Sequence, residues 1–231
     1  MYTNFGDFML TTIYLIRHCE SLGSKSGCFQ GSIDSDITEI GAKQIEFLGK
    51  RFENVNIDKV YSSPLLRAKR TAQAVADATG NCVVVDDGLT EIHGGDIEGM
   101  SYADIYKKFP EIEYVWTYSP QNFAPPNGEP MRVSYARISN AVFNLVKENA
   151  GKTIAIASHG AVSRCLLCKL IYNDIERLND VVWCDNTAVT KIVFDENLKS
   201  EIEYINDTTH LPDEYLPSGS KIASYLQRDT K

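Results

Sequence analysis

Two histidines that directly follow apolar runs are the first candidates for chemistry. Arg17 and His18 follow the run at residues 12–16, and His159 follows the run at residues 153–158. A short run rich in β-branched residues that stops at polar residues is typical of a buried strand, and ligands of open α/β sheets bind just beyond the carboxyl ends of such strands. We therefore expect both imidazoles at one site on the edge of one sheet.

Arg67 lies where an anion could bind. Residues 58–61 predict a short strand, and Ser62-Ser63-Pro64 predicts a helix cap followed by proline at the first helical position. The first turn of a helix has free backbone N–H groups and a positive dipole end, so a guanidinium there makes a phosphate or carboxylate clamp. A surface arginine is the alternative, and it is the favoured interpretation if this residue is taken alone.

Glu91 follows the strand predicted at residues 81–85 and lies in a glycine-bearing loop, 89–99. A glutamate in this position serves either as a proton donor or as a solvated loop residue. Spacing alone leaves both interpretations open.

The composition favours one domain of the α/β class. A chain of 231 residues, 43% of them hydrophobic, can bury a full core. The formal net charge is −8 at pH 7, and lysine and arginine form no long runs. This charge argues against nucleic-acid partners and anionic membrane surfaces, so an anionic substrate needs a local basic pocket.

Cysteine usage and the first residues predict a cytoplasmic protein. Residues 1–11 lack a positive n-region and hold too few apolar residues for a signal peptide or a spanning helix. Six cysteines are scattered through the chain, which predicts free thiols. Cys165-x-x-Cys168 lies in an apolar helical pattern without a second ligand pair, so we predict core residues there and expect no metal and no cofactor.

The rest of the sequence predicts the helices and strands that carry these residues. Helices are predicted at 38–52, from Ser63 to Gly80, at 103–109, at 131–149 and at 161–171. Residues 187–194 and 201–205 predict an antiparallel hairpin at the sheet edge. We expect a single domain with its core at 12–195, a lid insertion at 100–132 and a C-terminal tail at 206–231 without an assigned role.

Taken together and in order, the motifs resemble those of the histidine phosphatase superfamily, also called the phosphoglycerate-mutase-like family, over residues 12–194. The matching pieces are Arg17-His18-x-Glu20, Gln30-Gly31, Ile37 (usually leucine in the family) before Thr38-Glu39-x-Gly41, Ser62-Ser63-Pro64-Leu65-x-Arg67-Ala68, Glu91-Ile92-x-x-Gly95-x-x-Glu98-Gly99, Gly128-Glu129 and Ser158-His159-Gly160. Each piece is weak alone, and their joint order is a strong signal. The resemblance implies a three-layer α/β sandwich with a mostly parallel central sheet and an inserted lid.

The resemblance also implies a metal-independent phosphatase that acts on a small phosphorylated metabolite. His18 would take the phosphoryl group onto a ring nitrogen, and Glu91 would protonate the departing alkoxide. The residues implied to bind phosphate are Arg17, Arg67, His159, Gln30 and Gly31. Fixed positive groups suit phosphoryl transfer, because charge lies on the equatorial oxygens in the transition state. The attacking nitrogen of His18 must be unprotonated, which requires its other nitrogen to donate a hydrogen bond. The oligomeric state stays open, with a homodimer as one option.

Two residues depart from the family pattern near the nucleophile. Cys19 stands where the family usually has glycine, and Ser24 stands where many members carry asparagine. A thiol beside the nucleophile raises the hypothesis of oxidative inactivation. His18-Cys19 followed by Lys25 also mimics the cysteine phosphatase loop, although that mechanism needs the planar fork of an arginine at the lysine position.

Mutase activity and binding without catalysis both compete with hydrolysis. The family's mutases carry an arginine directly after the donor glutamate, a lysine further along and an Arg-Arg pair in the insertion, whereas this chain has Ile92, Tyr102 and no such pair. Hydrolysis is therefore favoured, with Arg132, Arg137, Lys107 and Lys108 left as substitutes that keep mutase activity open. A non-catalytic binding module has no physical reason to keep five polar groups that are costly to desolvate.

Aromatic residues in the predicted lid bear on the substrate. Residues 101–130 contain Tyr102, Tyr106, Trp116, Tyr118 and Phe123. Such side chains could shape a pocket for a partly apolar ligand body attached to the phosphate.

Overall fold

The computed structural model describes residues 9–216 and contains a six-stranded sheet between helices. The strands are β1 (Thr11–Arg17), β2 (Lys59–Ser62), β3 (Val83–Val85), β4 (Thr153–Ser158), β5 (Val189–Phe194) and β6 (Ser200–Asp207). Their order across the sheet is β3-β2-β4-β1-β5-β6. Neighbours among β1 to β4 pair in parallel, while β5 runs antiparallel to β1 and β6 antiparallel to β5. The mostly parallel sheet and the antiparallel hairpin at its edge confirm the sequence-based prediction.

Helices cover both faces of the sheet. They are α1 (Leu22–Lys25), α2 (Glu39–Phe52), α3 (Leu66–Thr79), α4 (Tyr102–Lys108), α5 (Pro110–Tyr118), α6 (Met131–Glu148) and α7 (Gly160–Tyr172). Ile13 of β1 belongs to an apolar cluster shared with α6 and α7, and Ile16 of β1 belongs to a second cluster shared with α2 and α3. Successive side chains of a strand point to opposite faces, so the two clusters lie on opposite sides of β1. The sheet is therefore the middle of three layers.

Three helix ends were predicted from the local sequence, and two of them lie where they were predicted. Thr38 caps α2 by accepting a hydrogen bond from the Gly41 N–H at 2.9 Å. Gly80 ends α3 in the left-handed conformation, with φ 70°. The predicted start of α3 at Ser63-Pro64 is wrong, because the helix begins at Leu66 and no side chain caps it. The Ser63 hydroxyl lies instead against His159.

The inserted segment holds more helix than the sequence predicted. We expected one short helix and an irregular stretch, whereas α4 is followed directly by α5. Pro110 explains the break: proline cannot continue α4, but it is well tolerated at the first position of a new helix.

The predicted C-terminal tail begins inside the sheet. Residue 206 belongs to β6, and the Asp207 carboxylate lies 2.8 Å from the guanidinium of Arg51 on α2. Residues 217–231 of that tail, and residues 1–8 of the N-terminal prediction, lie outside the described residues.

Cys165 and Cys168 are buried in α7, as predicted. Within residues 9–216, all six cysteines are free, and no group of three or more His, Cys, Asp or Glu side chains is arranged to hold a metal ion. None of the helices in this range has both the length and the hydropathy needed to cross a membrane.

Candidate active site

The two strand-end histidines lie side by side. Arg17 of β1 is in register with Ser158 of β4, and the His18 N–H donates to the Ser158 carbonyl at 2.9 Å. Both strands therefore deliver the following residue to the same edge of the sheet. The ring centroids of His18 and His159 are 5.1 Å apart, and both side chains are buried. The geometry expected from the sequence is present.

Hydrogen bonding determines which nitrogen of His18 is free. Its Nδ1 lies 2.7 Å from the backbone carbonyl oxygen of Cys19. A carbonyl oxygen only accepts, so Nδ1 carries the proton and Nε2 keeps its lone pair. Burial lowers the pKa of His18 well below its usual range, and the charges of Arg67 and Arg17 lower it further. His18 is thus a neutral imidazole with a free Nε2.

Arg67 is fixed by a loop that lies before it in the chain. It lies in the first turn of α3, where its two terminal nitrogens donate to the carbonyls of Ile33 at 2.8 Å and Gly31 at 2.9 Å. Its Nε is buried, and no described residue accepts a hydrogen bond from it. A buried donor without a partner is costly, which is expected where a ligand oxygen completes the site.

Arg17, like Arg67, has a buried Nε without a hydrogen-bond acceptor in the described part of the chain. One terminal nitrogen of Arg17 donates to the Cys184 carbonyl at 2.5 Å, and its buried Nε has no acceptor among the described residues. The guanidinium packs on Gly160, the first residue of α7, where an added Cβ would lie 3.4 Å from Nε. The absence of a side chain at Gly160 lets the guanidinium lie at the start of α7.

Glu91 lies across the start of the same helix. Its Oε1 accepts from the N–H groups of Ile92 at 3.0 Å and Val162 at 3.2 Å, and its Oε2 accepts from the Ala161 N–H at 3.2 Å. Among these contacts Oε2 has a single donor, so it is the oxygen with room for a proton. The carboxyl group lines the same cleft as His18 and Arg17.

His159 is oriented by Ser63, which the sequence pattern predicted to be a helix cap. The Ser63 hydroxyl lies 2.7 Å from Nε2 of His159 and accepts the Leu65 N–H at 3.3 Å. Burial is the main cause that lowers the pKa of His159 well below its usual range, so the ring is neutral. Nε2 of His159 is the acceptor that the described residues offer to the Ser63 hydroxyl, so the serine donates to it and the ring proton lies on Nδ1, for which no described residue is a partner.

Gln30 and Gly31 both line the cleft, and each has a partner in the protein. The Gln30 amide oxygen accepts from the hydroxyls of Ser21 and Ser35 at 3.0 and 2.9 Å. The Gly31 carbonyl accepts from Arg67. Gly31 has φ 53°, and an added Cβ would lie 2.2 Å from Oε1 of Glu98, so only glycine fits. Their predicted part in phosphate binding stays a prediction.

The cleft around these groups is small and half apolar, with a volume of about 190 Å³. Its lining consists of Arg17, His18, Ser24, Cys28, Phe29, Gln30, Gly31, Arg67, Glu91, Ile92, Tyr102, Trp116, Gly160, Ala161 and Trp183. Of the aromatic residues in the predicted lid, Tyr102 and Trp116 line the cleft. Tyr118 is 67% exposed and outside the lining, and Trp183 reaches the cleft from a loop that the sequence did not single out.

Cys19 is not placed as a nucleophile. It is fully buried and absent from the cleft lining, and Lys25 is exposed on α1. Burial raises the pKa of the Cys19 thiol to about 11. A protonated thiol that does not reach the cleft cannot attack a bound phosphate ester.

Comparisons with known sequences and structures identify the family of this chain. The model of the histidine phosphatase superfamily (branch 1) matches residues 13–208. Phosphoserine phosphatase 1 of Hydrogenobacter thermophilus is 29% identical, covering 92% of this chain and all of that one. A protein of Yersinia pestis, named a probable phosphoglycerate mutase GpmB, is 31% identical over 69% of this chain and 74% of its own. The solved structure of Bacillus stearothermophilus YhfR is 31% identical, with a TM-score of 0.82, covering 87% of this chain and 98% of that one.

Proposed function

The chain belongs to the histidine phosphatase superfamily, branch 1, and from that premise we propose that it hydrolyses small phosphate monoesters through a phosphohistidine at His18. One observation carries the proposal: Nδ1 of His18 donates to a backbone carbonyl, which leaves Nε2 unprotonated in a cleft that holds two guanidinium groups. A neutral imidazole nitrogen is a competent nucleophile for phosphorus.

In the first step, the lone pair on Nε2 of His18 attacks phosphorus and the bond from phosphorus to the ester oxygen breaks. The unpaired Nε–H groups of Arg17 and Arg67 donate to the phosphoryl oxygens, on which negative charge lies in the transition state. Glu91 gives the proton on Oε2 to the departing oxygen, so the alcohol leaves neutral.

In the second step, water attacks the phosphohistidine. The phosphorus–nitrogen bond breaks, and the electron pair returns to Nε2 of His18. The Glu91 carboxylate takes the proton of the attacking water, which restores its starting state and releases inorganic phosphate. His159 donates from Nδ1 to a phosphoryl oxygen in both steps.

The positions of the remaining basic residues favour hydrolysis over mutase activity. Arg137 pairs with Glu129 at 2.6 Å, and Arg132 pairs with Glu176 at 2.5 Å. Lys107 and Lys108 lie on α4 outside the cleft lining. None of these four side chains is therefore placed to hold the carboxylate and second phosphate of a phosphoglycerate.

Phosphate release measured against isomerisation tests the proposal. The protein is incubated with 3-phosphoglycerate and with a panel of phosphate monoesters, with a chelator present, while inorganic phosphate and 2-phosphoglycerate are measured. We expect phosphate release that the chelator does not abolish and that His18→Ala abolishes. Isomerisation without phosphate release would contradict the phosphatase assignment and would show that the protein is a mutase. The cytoplasmic location, the single-domain organisation and the oligomeric state remain predictions.

A further inference from the structure

Four aromatic rings form one wall of the cleft beyond the phosphate-binding groups. We call Phe29, Tyr102, Trp116 and Trp183 the aromatic wall. Ring centroids are 5.8 Å apart for Phe29 and Trp116 and 5.8 Å apart for Trp116 and Trp183, so the rings are in contact with one another. Trp183 is 43% exposed and Tyr102 is 38% exposed, which leaves aromatic surface open to a ligand.

Trp183 lies directly beside the phosphate end of the cleft. An added Cβ on Gly160 would be 3.3 Å from Cζ3 of Trp183 and 3.4 Å from Nε of Arg17. The indole and the guanidinium are thus neighbours across one glycine. The guanidinium carbon of Arg164 lies 4.9 Å from the centre of the Trp183 ring, and its Nε donates to the Val181 carbonyl at 2.7 Å. These contacts hold the indole beside the guanidinium of Arg17, which contacts the phosphoryl group in the proposed reaction.

Charge in the cleft is limited to the groups already used. Within residues 9–216, the Lys and Arg side chains that line the cleft are Arg17 and Arg67, and both serve the phosphate in the proposed reaction. Glu91 is the acidic residue of the lining. Among the described residues, the lining offers no further cation to a carboxylate on the leaving group, so that carboxylate would lose its hydration without gaining an ion pair.

We propose that the substrate is a phosphate monoester of a compact, uncharged alcohol that carries a ring, and that the cleft discriminates against leaving groups with a carboxylate. The inference rests on the proposed phosphatase function and adds the class of substrate. The cleft has a small volume of about 190 Å³, which suits a compact leaving group. Phosphoserine, the substrate in the name of one relative, is predicted to be poor here.

The test uses esters with similar leaving-group basicity. kcat/KM is measured for benzyl phosphate, for 4-carboxybenzyl phosphate, for propyl phosphate and for phosphoserine. We expect benzyl phosphate to exceed the carboxylated ester and phosphoserine by at least about tenfold, and to exceed propyl phosphate. Equal or better turnover of the carboxylated esters would overturn the inference while leaving the phosphatase intact. Failure to release phosphate from any ester would contradict the proposed function, and this inference with it.

Variants of the wall provide an independent readout. Trp183→Ala is expected to lower kcat/KM for benzyl phosphate about tenfold, mainly by raising KM. The ratio of kcat/KM for benzyl phosphate to kcat/KM for propyl phosphate should therefore decrease. Trp183→Phe keeps a ring and should restore most of that ratio. Tyr118→Ala, an exposed aromatic outside the cleft, is the matched control and should not change the ratio. A ratio unaffected by Trp183→Ala would contradict the role of the wall.

Discussion

The hydroxyl of Ser63 lies 2.7 Å from Nε2 of His159, at the end of β2 and beside the end of β4. This hydrogen bond connects two neighbouring strands of the sheet and determines where the proton of a buried, neutral imidazole lies. Ser63 is thereby a positioning residue that acts through His159.

Ser63→Ala is expected to lower kcat/KM about tenfold, because His159 loses the donor that holds its proton on Nδ1. Nitrogen NMR of the His159 ring should show a mixture of tautomers, a change that a purely structural role would not produce. Ser63→Thr keeps the hydroxyl and should recover part of the activity. Ser139→Ala, which removes another buried hydroxyl with a backbone partner, is the control. An unchanged tautomer in Ser63→Ala would contradict this role.

Glu98 holds the loop whose carbonyls fix Arg67. Its Oε1 accepts from the Ser32 N–H at 2.7 Å and from the Gly94 N–H at 2.8 Å. Glu98→Ala removes the oxygen that accepts both hydrogen bonds, so the loop and the guanidinium lose their fixed positions. We expect KM and the inhibition constant of inorganic phosphate to rise about tenfold, with a smaller change in kcat.

Glu98→Gln keeps Oε1 as an acceptor and should lie between wild type and alanine. Glu46→Ala removes an exposed carboxylate paired only with surface lysines and should have no effect. If phosphate inhibits Glu98→Ala as strongly as wild type, Glu98 does not position the phosphate site.

The pH profile should reflect the lowered pKa of His18. Burial and the neighbouring arginines disfavour the imidazolium, so Nε2 stays unprotonated as the pH falls below 6.5, the ordinary value for histidine. kcat/KM, corrected for the ionisation of the substrate, is expected to stay flat through pH 6.5 and to fall only at lower pH. His93→Gln removes an exposed histidine near Glu91 and should leave the profile unchanged. A loss of activity that follows one protonation near pH 6.5 would show that His18 titrates normally.

Cys19 should be dispensable for turnover. Its buried thiol has a pKa raised to about 11, so it is protonated at neutral pH. Cys19→Ser is expected to keep kcat within about threefold of wild type, and peroxide should not inactivate the protein through this residue. His18→Ala should lose turnover. The opposite pattern, with activity lost only in Cys19→Ser, would support a cysteine phosphatase.

The sequence was most informative where strands end. Parallel neighbours present their carboxyl ends at one edge, so polar residues after β1 and β4 had to meet there, and His18 and His159 do. The nearness of Arg67 and Glu91 required the motif resemblance, because neither residue stands out by spacing.

Other features depend on contacts that a linear pattern does not encode. The tautomer of His18 depends on the position of the Cys19 carbonyl, and that of His159 depends on the position of the Ser63 hydroxyl. Trp183 lies in a loop without periodicity and reaches the cleft through its contact with Gly160. Helix α5 was missed because Pro110 looks like a terminator when it is in fact the first residue of a helix.

Trapping the covalent intermediate tests the central claim most directly. The protein is mixed with a labelled phosphate monoester, quenched within milliseconds to seconds under alkaline conditions and digested for peptide analysis. We expect label on the peptide that contains His18, stable in alkali and lost in acid, and no label in His18→Ala. Turnover without a labelled protein, or label that persists in His18→Ala, would contradict a phosphohistidine at His18.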